Sequence, residues 1–423
     1  MQNFVYEMEN RMKRIIAILM TLTILFGCLI IPVYAEESYP FIFVHGFMGW
    51  GSDSEIEVNK PYWGDTQENN VMTYLRNKGY EVYNPSVSPL ASAWDRACEL
   101  YAQLTGTVVD YGEAHSKKYG HDRYGRDYTG KAIMGEAWDM ETALNLVGHS
   151  YGGATVRVFA GLLAYGDTDE IAASGSNCSE LFKGGHKNLV YSITTLAAPT
   201  NGSTLSDFAA NFPPVTALMC YYFTAKRSTG LAMDPMLDQW GLTAPDGEEA
   251  PKVTWAKVFK IAFSNDHCGY DMSVKGALEI NERFPTIDSV YYFSYYGNIT
   301  KENSLGFYTI NTETTVFNMF TYTAPVITYN VGHFSGGIWI DKGWGESDGM
   351  VSLKSAMYPY GDASEHCNYA DATEIKPGIW YVMPELTGVD HYDFCSAAES
   401  GEFGSKAEYF AFYEKLIENV YGI

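Results

Sequence analysis

The sequence predicts an α/β fold, a mostly parallel central sheet with helices on both faces. Two observations carry this prediction. Short apolar runs bounded by turn residues alternate with segments of helical spacing, as expected when helices return the chain to begin each parallel strand. No internal repeat, low-complexity linker or second-domain boundary interrupts the series, so the 423 residues fit one core with insertions.

Taken in chain order, Arg11, Lys13 and Arg14 precede an apolar run from Ile15 to Ile31, followed by Val33-Tyr34-Ala35. A positive flank, an apolar stretch and small residues at the −3 and −1 places describe a secretory signal, residues 1–35, cleaved after Ala35. Pro32 cuts the run short of the roughly 20 apolar residues of a membrane anchor. Residues 36–423 then form the folded domain. Residues 41–46 (FIFVHG) read as a buried strand entering a glycine turn, and 66–78 as a helix stopped by Lys78-Gly79. Residues 81–87 read as a strand and 92–104 as a helix from Ser92. From 111 to 130 apolar periodicity is lost, which predicts an ordered insertion loop. Residues 143–149 form a buried strand, 152–164 a helix, and 189–196 and 289–295 two further strands.

The 51 acidic against 28 basic side chains give a formal net charge of −23. Without basic runs, the chain is not expected to bind nucleic acid or anionic membrane surfaces. Apolar residues make up 46% of the chain, with 33 Tyr and 22 Phe, enough for a large interior and an apolar binding surface. Six cysteines remain after the signal: Cys98, Cys178, Cys220, Cys268, Cys367 and Cys395. No CxxC pair exists, and both free thiols and bridges stay open, with Cys367–Cys395 the first pair to test.

Gly148-His149-Ser150-Tyr151-Gly152 is a GxSxG motif between a buried strand and a helix. Such a turn lifts the serine hydroxyl above the sheet and turns the following N–H toward a substrate oxygen. Serine needs a base oriented by a carboxylate. Position favours His391, in the loop after Gly388, over His333 and His366. It likewise favours Asp348, before an apolar stretch, over Asp341 and Glu346. The N–H groups of Tyr151 and of Phe47, after His45-Gly46, are the candidate oxyanion donors.

The segments YPFIFVHGFMGWG (39–51), SAWDRACELYAQLTGTVVDYG (92–112), GHDRYGR (120–126), GHSYGG (148–153), LDQWGL (237–242), YDMSVKGA (270–277), SDGMV (347–351) and VDHYD (389–393) together resemble the large secreted triacylglycerol lipases of the thermoalkaliphilic bacillus and staphylococcal group. The resemblance covers nearly all of the mature chain. It implies a single α/β-hydrolase domain at 36–423, with a zinc-binding insertion at about 92–130 and an apolar lid at about 205–228 interrupted by Pro213-Pro214. It implies Ser150, Asp348 and His391 as the catalytic triad and Phe47 and Tyr151 as oxyanion donors. It also implies a structural zinc held by Asp95, His115, His121 and Asp238, a donor set that suits tetrahedral zinc. Calcium has little support: Asp393 matches one acidic position, but the following CSAAES lacks the family's aspartate–proline pair. The expected substrates are hydrophobic esters at lipid–water interfaces, acylglycerols first. Short-chain carboxylesterase, phospholipase and polyester hydrolase are alternatives on the same site, and a non-catalytic surface-binding protein is a more remote one. No stable protein partner is implied.

Overall fold

Seven strands form the central sheet, and every pairing in it is parallel. In chain order they are β1 (Phe41–Val44), β2 (Val82–Tyr83), β3 (Leu144–His149), β4 (Val190–Leu196), β5 (Tyr291–Tyr295), β6 (Glu365–Asn368) and β7 (Ile379–Val382). Across the sheet the order is β6-β7-β5-β4-β3-β1-β2. A computed structural model describes residues 39–227, 233–245, 248–249, 251–316, 318–361, 364–396 and 401–423, all within one compact unit, Tyr39–Ile423. The expected signal, 1–35, lies outside the described residues.

The pleat divides the strands' side chains between two interiors. From β1, Ile42 and Val44 join one core while Phe41 and Phe43 join the other. From β7, Trp380 and Tyr381 separate in the same way. The helices cover both faces. In chain order the ten used below are α1 (Val71–Asn77), α2 (Ala93–Thr105), α3 (Glu113–Tyr119), α4 (Tyr151–Tyr165), α5 (Thr204–Asn211), α6 (Pro213–Arg227), α7 (Trp255–Ala262), α8 (Val274–Arg283), α9 (Phe320–Tyr329) and α10 (Lys406–Tyr421). Leu100 and Leu104 of α2 and Phe159 and Leu162 of α4 fill the first core. Leu75 of α1 and Tyr409, Tyr413, Leu416 and Ile417 of α10 fill the second. This α/β sandwich is the architecture expected from the alternation of apolar runs and helical segments.

Local chemistry sets the boundaries. The Ser92 side chain accepts a hydrogen bond from Asp95 N–H and so caps α2, which ends at Gly106 in the left-handed region, φ 62°. Asn70 caps α1 through Thr73 N–H, so the helix expected from residue 66 starts at 71, after a single 3₁₀ turn at Gln67–Asn69. The strand expected over 81–87 is only two residues long. Pro85 lacks the N–H that a longer ladder needs. The 111–130 stretch, expected as a loop, contains α3 and the strand Tyr124–Asp127, paired antiparallel with Val108–Asp110. Its order comes from polar contacts: Arg123 forks onto Asp110 at 2.8 Å and also reaches Glu113. The six cysteines of the described residues are free thiols, so Cys367 and Cys395 form no bridge. Among the described residues no helix is long and apolar enough to cross a membrane.

The strand order reverses between β1 and β3. The chain leaves β1 for β2 on one side, and leaves β3 for β4 on the other. Open parallel sheets place their sites in the crevice at the carboxyl ends of two such strands. Here those ends carry His45-Gly46-Phe47 and His149-Ser150-Tyr151.

Candidate active site and metal centre

Ser150 occupies the bend between β3 and α4 with φ 54° and ψ −126°, a conformation that is strained for any residue with a Cβ. Close backbone approach makes the bend possible. A Cβ on Gly148 would lie 2.6 Å from the Gly152 backbone, and one on Gly152 would lie 2.2 Å from Val44 O. Both positions therefore require glycine.

The hydroxyl meets a hydrogen-bonded line. His391 Nε2 lies 2.8 Å from Ser150 Oγ, and His391 Nδ1 lies 2.8 Å from Asp348 Oδ2. The carboxylate can only accept, so Nδ1 carries the hydrogen and Nε2 is left as the basic atom facing the serine. Asp348 is fixed in turn, its Oδ1 accepting from the N–H groups of Met350 at 2.9 Å and Val351 at 2.7 Å. The rival residues lie elsewhere. His366 stacks on Tyr358, and His333 stands in the hairpin His333–Ser335/Ile338–Ile340. Asp341 binds Lys354, and Glu346 accepts from Asn298.

Tyr151 begins α4, so its N–H has no intrahelical acceptor. The turn after β1 abuts the serine: a Cβ on Gly46 would stand 2.7 Å from Ser150 Cβ. Phe47 follows directly in this turn. Four side chains frame this turn and the serine. Arg96 Nη2 donates to His45 O at 2.5 Å, and its guanidinium lies 4.6 Å from the Tyr151 ring centroid. Gly46 N–H donates to Tyr62 Oη at 2.9 Å, and the Tyr62 hydroxyl donates to His149 Nδ1 at 2.6 Å. His149 Nε2–H then donates to the carbonyl of His391 at 3.0 Å. Burial, with His391 close by, holds the His149 pKa far below the ordinary imidazole value, so the relay keeps this one tautomer. Asp271, pushed up to about 7 by burial, accepts from Tyr151 Oη at 2.8 Å. Tyr62, Arg96, His149 and Asp271 form a single frame around the serine, histidine and turn.

A second histidine–carboxylate group shares no residue with this line. Asp95 (α2), His115 (α3), His121 (after α3) and Asp266 (after α7) each offer a ligand atom within 4.8 Å of the others. His115 Nε2 is 3.1 Å from Asp95 Oδ1 and 3.3 Å from Asp266 Oδ1, and His121 Nε2 is 3.3 Å from Asp266 Oδ2. Donor atoms about 2.0–2.2 Å from a tetrahedral zinc stand roughly 3.3–3.6 Å apart, close to these three spacings. His121 Nε2 and Asp266 Oδ2 are both buried without a hydrogen-bond partner, as expected of lone pairs aimed at a common cation. Burial alone would lower the His115 pKa, yet the Asp266 and Asp95 carboxylates outweigh it and carry it up to about 9. The two carboxylates therefore favour a cation in this pocket. Asp95 Oδ2 is steadied by Gln239 Nε2 at 2.7 Å, and His121 Nδ1 by Asp122 O at 2.8 Å.

Asp238, expected as the fourth ligand, is not in this group. Its carboxylate is held by Arg126 at 2.5 Å and by Thr243, and Asp266 fills the place. No local signal marked Asp266, which follows a short helix and reaches the cluster only through the tertiary fold. Asp393, the calcium candidate, accepts from Asp390 N–H at 2.7 Å, and residues 397–400 lie outside the described residues.

The family model described as "Lipase-like, C-terminal domain" matches residues 37–422. The chain belongs to this lipase-like family. A lipase of Staphylococcus hyicus is 36% identical over 86% of this chain and 54% of its own length. The chain thus spans about half the length of the curated relatives it matches. The crystal structure of the S. hyicus lipase superimposes with a TM-score of 0.77 at 34% identity, over 92% of this chain and 97% of that one. EstA from Clostridium botulinum gives 0.74 at 34% identity over 90% and 87%. Lipase 1 from Pelosinus fermentans gives 0.70 at 32% over 90% and 98%. This lipase-like chain is therefore homologous to staphylococcal lipases and shares their fold.

Proposed function

We propose that this protein is a serine carboxylic-ester hydrolase of the triacylglycerol-lipase type, acting on hydrophobic esters outside the cell. The observation that carries the reading is the line from Ser150 through His391 to Asp348, set on a strained bend at the start of α4. Ser150 attacks the ester carbonyl as His391 Nε2 takes its proton, and Asp348 stabilises the imidazolium that forms. The Phe47 and Tyr151 N–H groups receive the oxyanion, a contribution of about 2.7–4 kcal/mol for each such donor. His391 returns the proton to the leaving alcohol, and water repeats the sequence on the acyl-enzyme. Ser150 and His391 are each only 7% exposed, and the lipase-type reading calls for a movable cover over them. We assign that cover to α5 and α6, the expected lid, where Leu218 is exposed while Ala217 and Cys220 face the core.

The cluster of Asp95, His115, His121 and Asp266 is assigned to a structural zinc, which would cross-link α2, the 111–130 insertion and the segment after α7. Its four protein donors leave no open position, and the acyl transfer takes place without it. The 1–35 segment is assigned as the signal for export.

The test is a substrate series on the wild-type protein and Ser150→Ala. Emulsified triolein and long-chain nitrophenyl esters should be hydrolysed by the wild type, with activity lost in the variant. Activity confined to soluble short esters would make it a carboxylesterase. Full activity in Ser150→Ala would remove the mechanism, and no activity in either protein would leave a surface-binding protein of the same fold.

A further inference from the structure

From Thr314 to Ile340 the sequence contains no Asp, Glu, Lys or Arg, although 19% of the chain is charged. This segment contains α9 and the hairpin His333–Ser335/Ile338–Ile340. Met319, Tyr322, Val326 and Tyr329 recur at steps of three and four, which aligns them on one side of α9. With Phe334 and Trp339 of the hairpin, these side chains are between 51% and 70% exposed. The opposite side of α9 is buried through Phe320, Ala324 and Ile327. Phe334 and Trp339 contact each other edge-on, centroids 5.1 Å apart.

The buried side of α9 is fastened to the loops of the active site. The Phe320 ring lies 6.2 Å from that of His391. Thr323 Oγ1 donates to Gly349 O at 2.5 Å, next to Asp348. At its far end Asn330 Nδ2 donates to Thr204 O, and Ser335 Oγ to Asp207 Oδ2, both on α5. One charge-free unit thus joins the Asp348 and His391 loops to the first helix of the lid.

We propose that the exposed side of α9 and its hairpin form a docking face for an uncharged lipid surface. This deepens the ester-hydrolase reading and rests on it for the identity of the partner. The chemistry favours lipid over a protein. Exposed Tyr, Trp, Met, Phe and Val among Thr, Asn and Ser suit a hydrocarbon–water boundary, where aromatic rings bury an apolar body and keep a polar edge wet. Nothing charged in the segment needs desolvation, and nothing basic attracts anionic headgroups. The remainder of a chain of net charge −23 repels an anionic surface, so the charge-free face is where a neutral surface can approach. Docking there brings neutral esters to the unit that carries the triad loops and lid.

Co-flotation of the Ser150→Ala protein with phosphatidylcholine or phosphatidylglycerol vesicles tests this without hydrolysis. Combining Tyr329→Ser, Phe334→Ser and Trp339→Ser should weaken binding to neutral vesicles about tenfold or more, as expected for losing three interfacial aromatic rings. Leu305→Ser, an exposed apolar site outside the segment, should change nothing. In the protein that keeps Ser150, the triple variant should hydrolyse nitrophenyl butyrate within about twofold of wild type while its rate on emulsified triolein falls about tenfold. If the triple variant does not fold, Phe334→Ser alone carries the test with a loss of about threefold. Unchanged vesicle binding overturns the proposal, as does tighter binding to the anionic vesicles. So does a dimer, seen by sedimentation, that the variant dissolves, because the face would then belong to a second copy of the chain. Face-dependent flotation without ester hydrolysis by wild type would defeat the enzymatic reading alone.

Discussion

The protein builds two groups from the same side chains, histidine and aspartate, and arranges them in opposite ways. In the Ser150–His391–Asp348 line each imidazole nitrogen has one partner, both distances are 2.8 Å, and every hydrogen has a place. In the Asp95–His115–His121–Asp266 cluster two carboxylates converge on the Nε2 of His115, and a nitrogen and an oxygen face each other with no hydrogen bond between them. Counting hydrogens separates the two. In the line the Ser150 hydroxyl hydrogen faces the unprotonated Nε2 of His391, an arrangement suited to moving a proton, whereas in the cluster the unpartnered His121 Nε2 and Asp266 Oδ2 are arranged to receive a cation. Residue type decides neither outcome. The direction in which each imidazole is held decides it, by Met350 and Val351 N–H through Asp348 in one case and by Gln239 and Asp122 in the other.

The largest effect that would break this comparison is expected at the line. Asp348→Asn keeps the shape but presents an amide hydrogen or a weaker acceptor to His391 Nδ1, favouring the tautomer with its proton on Nε2. Turnover of nitrophenyl esters should fall on the order of 10⁴-fold, with little change in KM and an unchanged unfolding midpoint. A loss below about tenfold would mean the carboxylate does not set the tautomer, and the hydrogen count would not be what distinguishes the two groups.

At the cluster the sharper contrast is between two aspartates. Asp266→Ala should abolish stoichiometric metal, measured by elemental analysis after dialysis, and should lower the unfolding midpoint as chelator does to the wild type. Asp238→Asn should keep about one metal per chain, because that carboxylate is engaged by Arg126. The reverse pattern would restore Asp238 to the ligand set.

The difference between the groups also explains how far the sequence could be read. The strands at 41–44, 144–149, 190–196 and 291–295 lie within two residues of the apolar runs that announced them, because burial on both faces writes itself into composition. β6 does not, since its EHCN is an edge strand with three of four residues exposed and bears no apolar signature. Ser150 was legible because its bend demands glycine at 148 and 152, a local requirement. His391 and Asp348 had rivals on position alone, and only hydrogen-bond geometry separates them from those rivals. The cluster was legible only through the resemblance, which pointed to Asp95, His115 and His121 but to Asp238 in place of Asp266, a residue brought in from a distant segment. Of the frame, Arg96, His149 and Asp271 lie in segments that carry the resemblance, but the role of all four residues left no trace, because a buried polar side chain acquires its partner only in the tertiary fold.

A third kind of histidine takes the comparison to its smallest measurable effect. His45 and His115 are both buried, but His115 faces two carboxylates and rises to about 9, whereas His45 is lowered to about 3 by burial first and the Arg96 guanidinium second. His45 Nδ1–H donates to Gly46 O and its Nε2 accepts from Val87 N–H, so a second proton on Nε2 would break the latter bond. With a folded pKa of about 3 against 6.5 for the free side chain, the unfolded chain binds the extra proton first. Stability from His45 is therefore complete above pH 6.5 and is lost as pH falls from there toward 3, by up to about 1.4 kcal/mol per pH unit for one proton. His45→Asn can keep a donor and an acceptor without titrating. Urea unfolding between pH 7 and 4 should show the variant losing stability less steeply than wild type, by that one-proton slope. Parallel curves would mean that His45 is already charged in the fold, and that neighbouring charge, with burial held equal, does not decide what a histidine in this protein does.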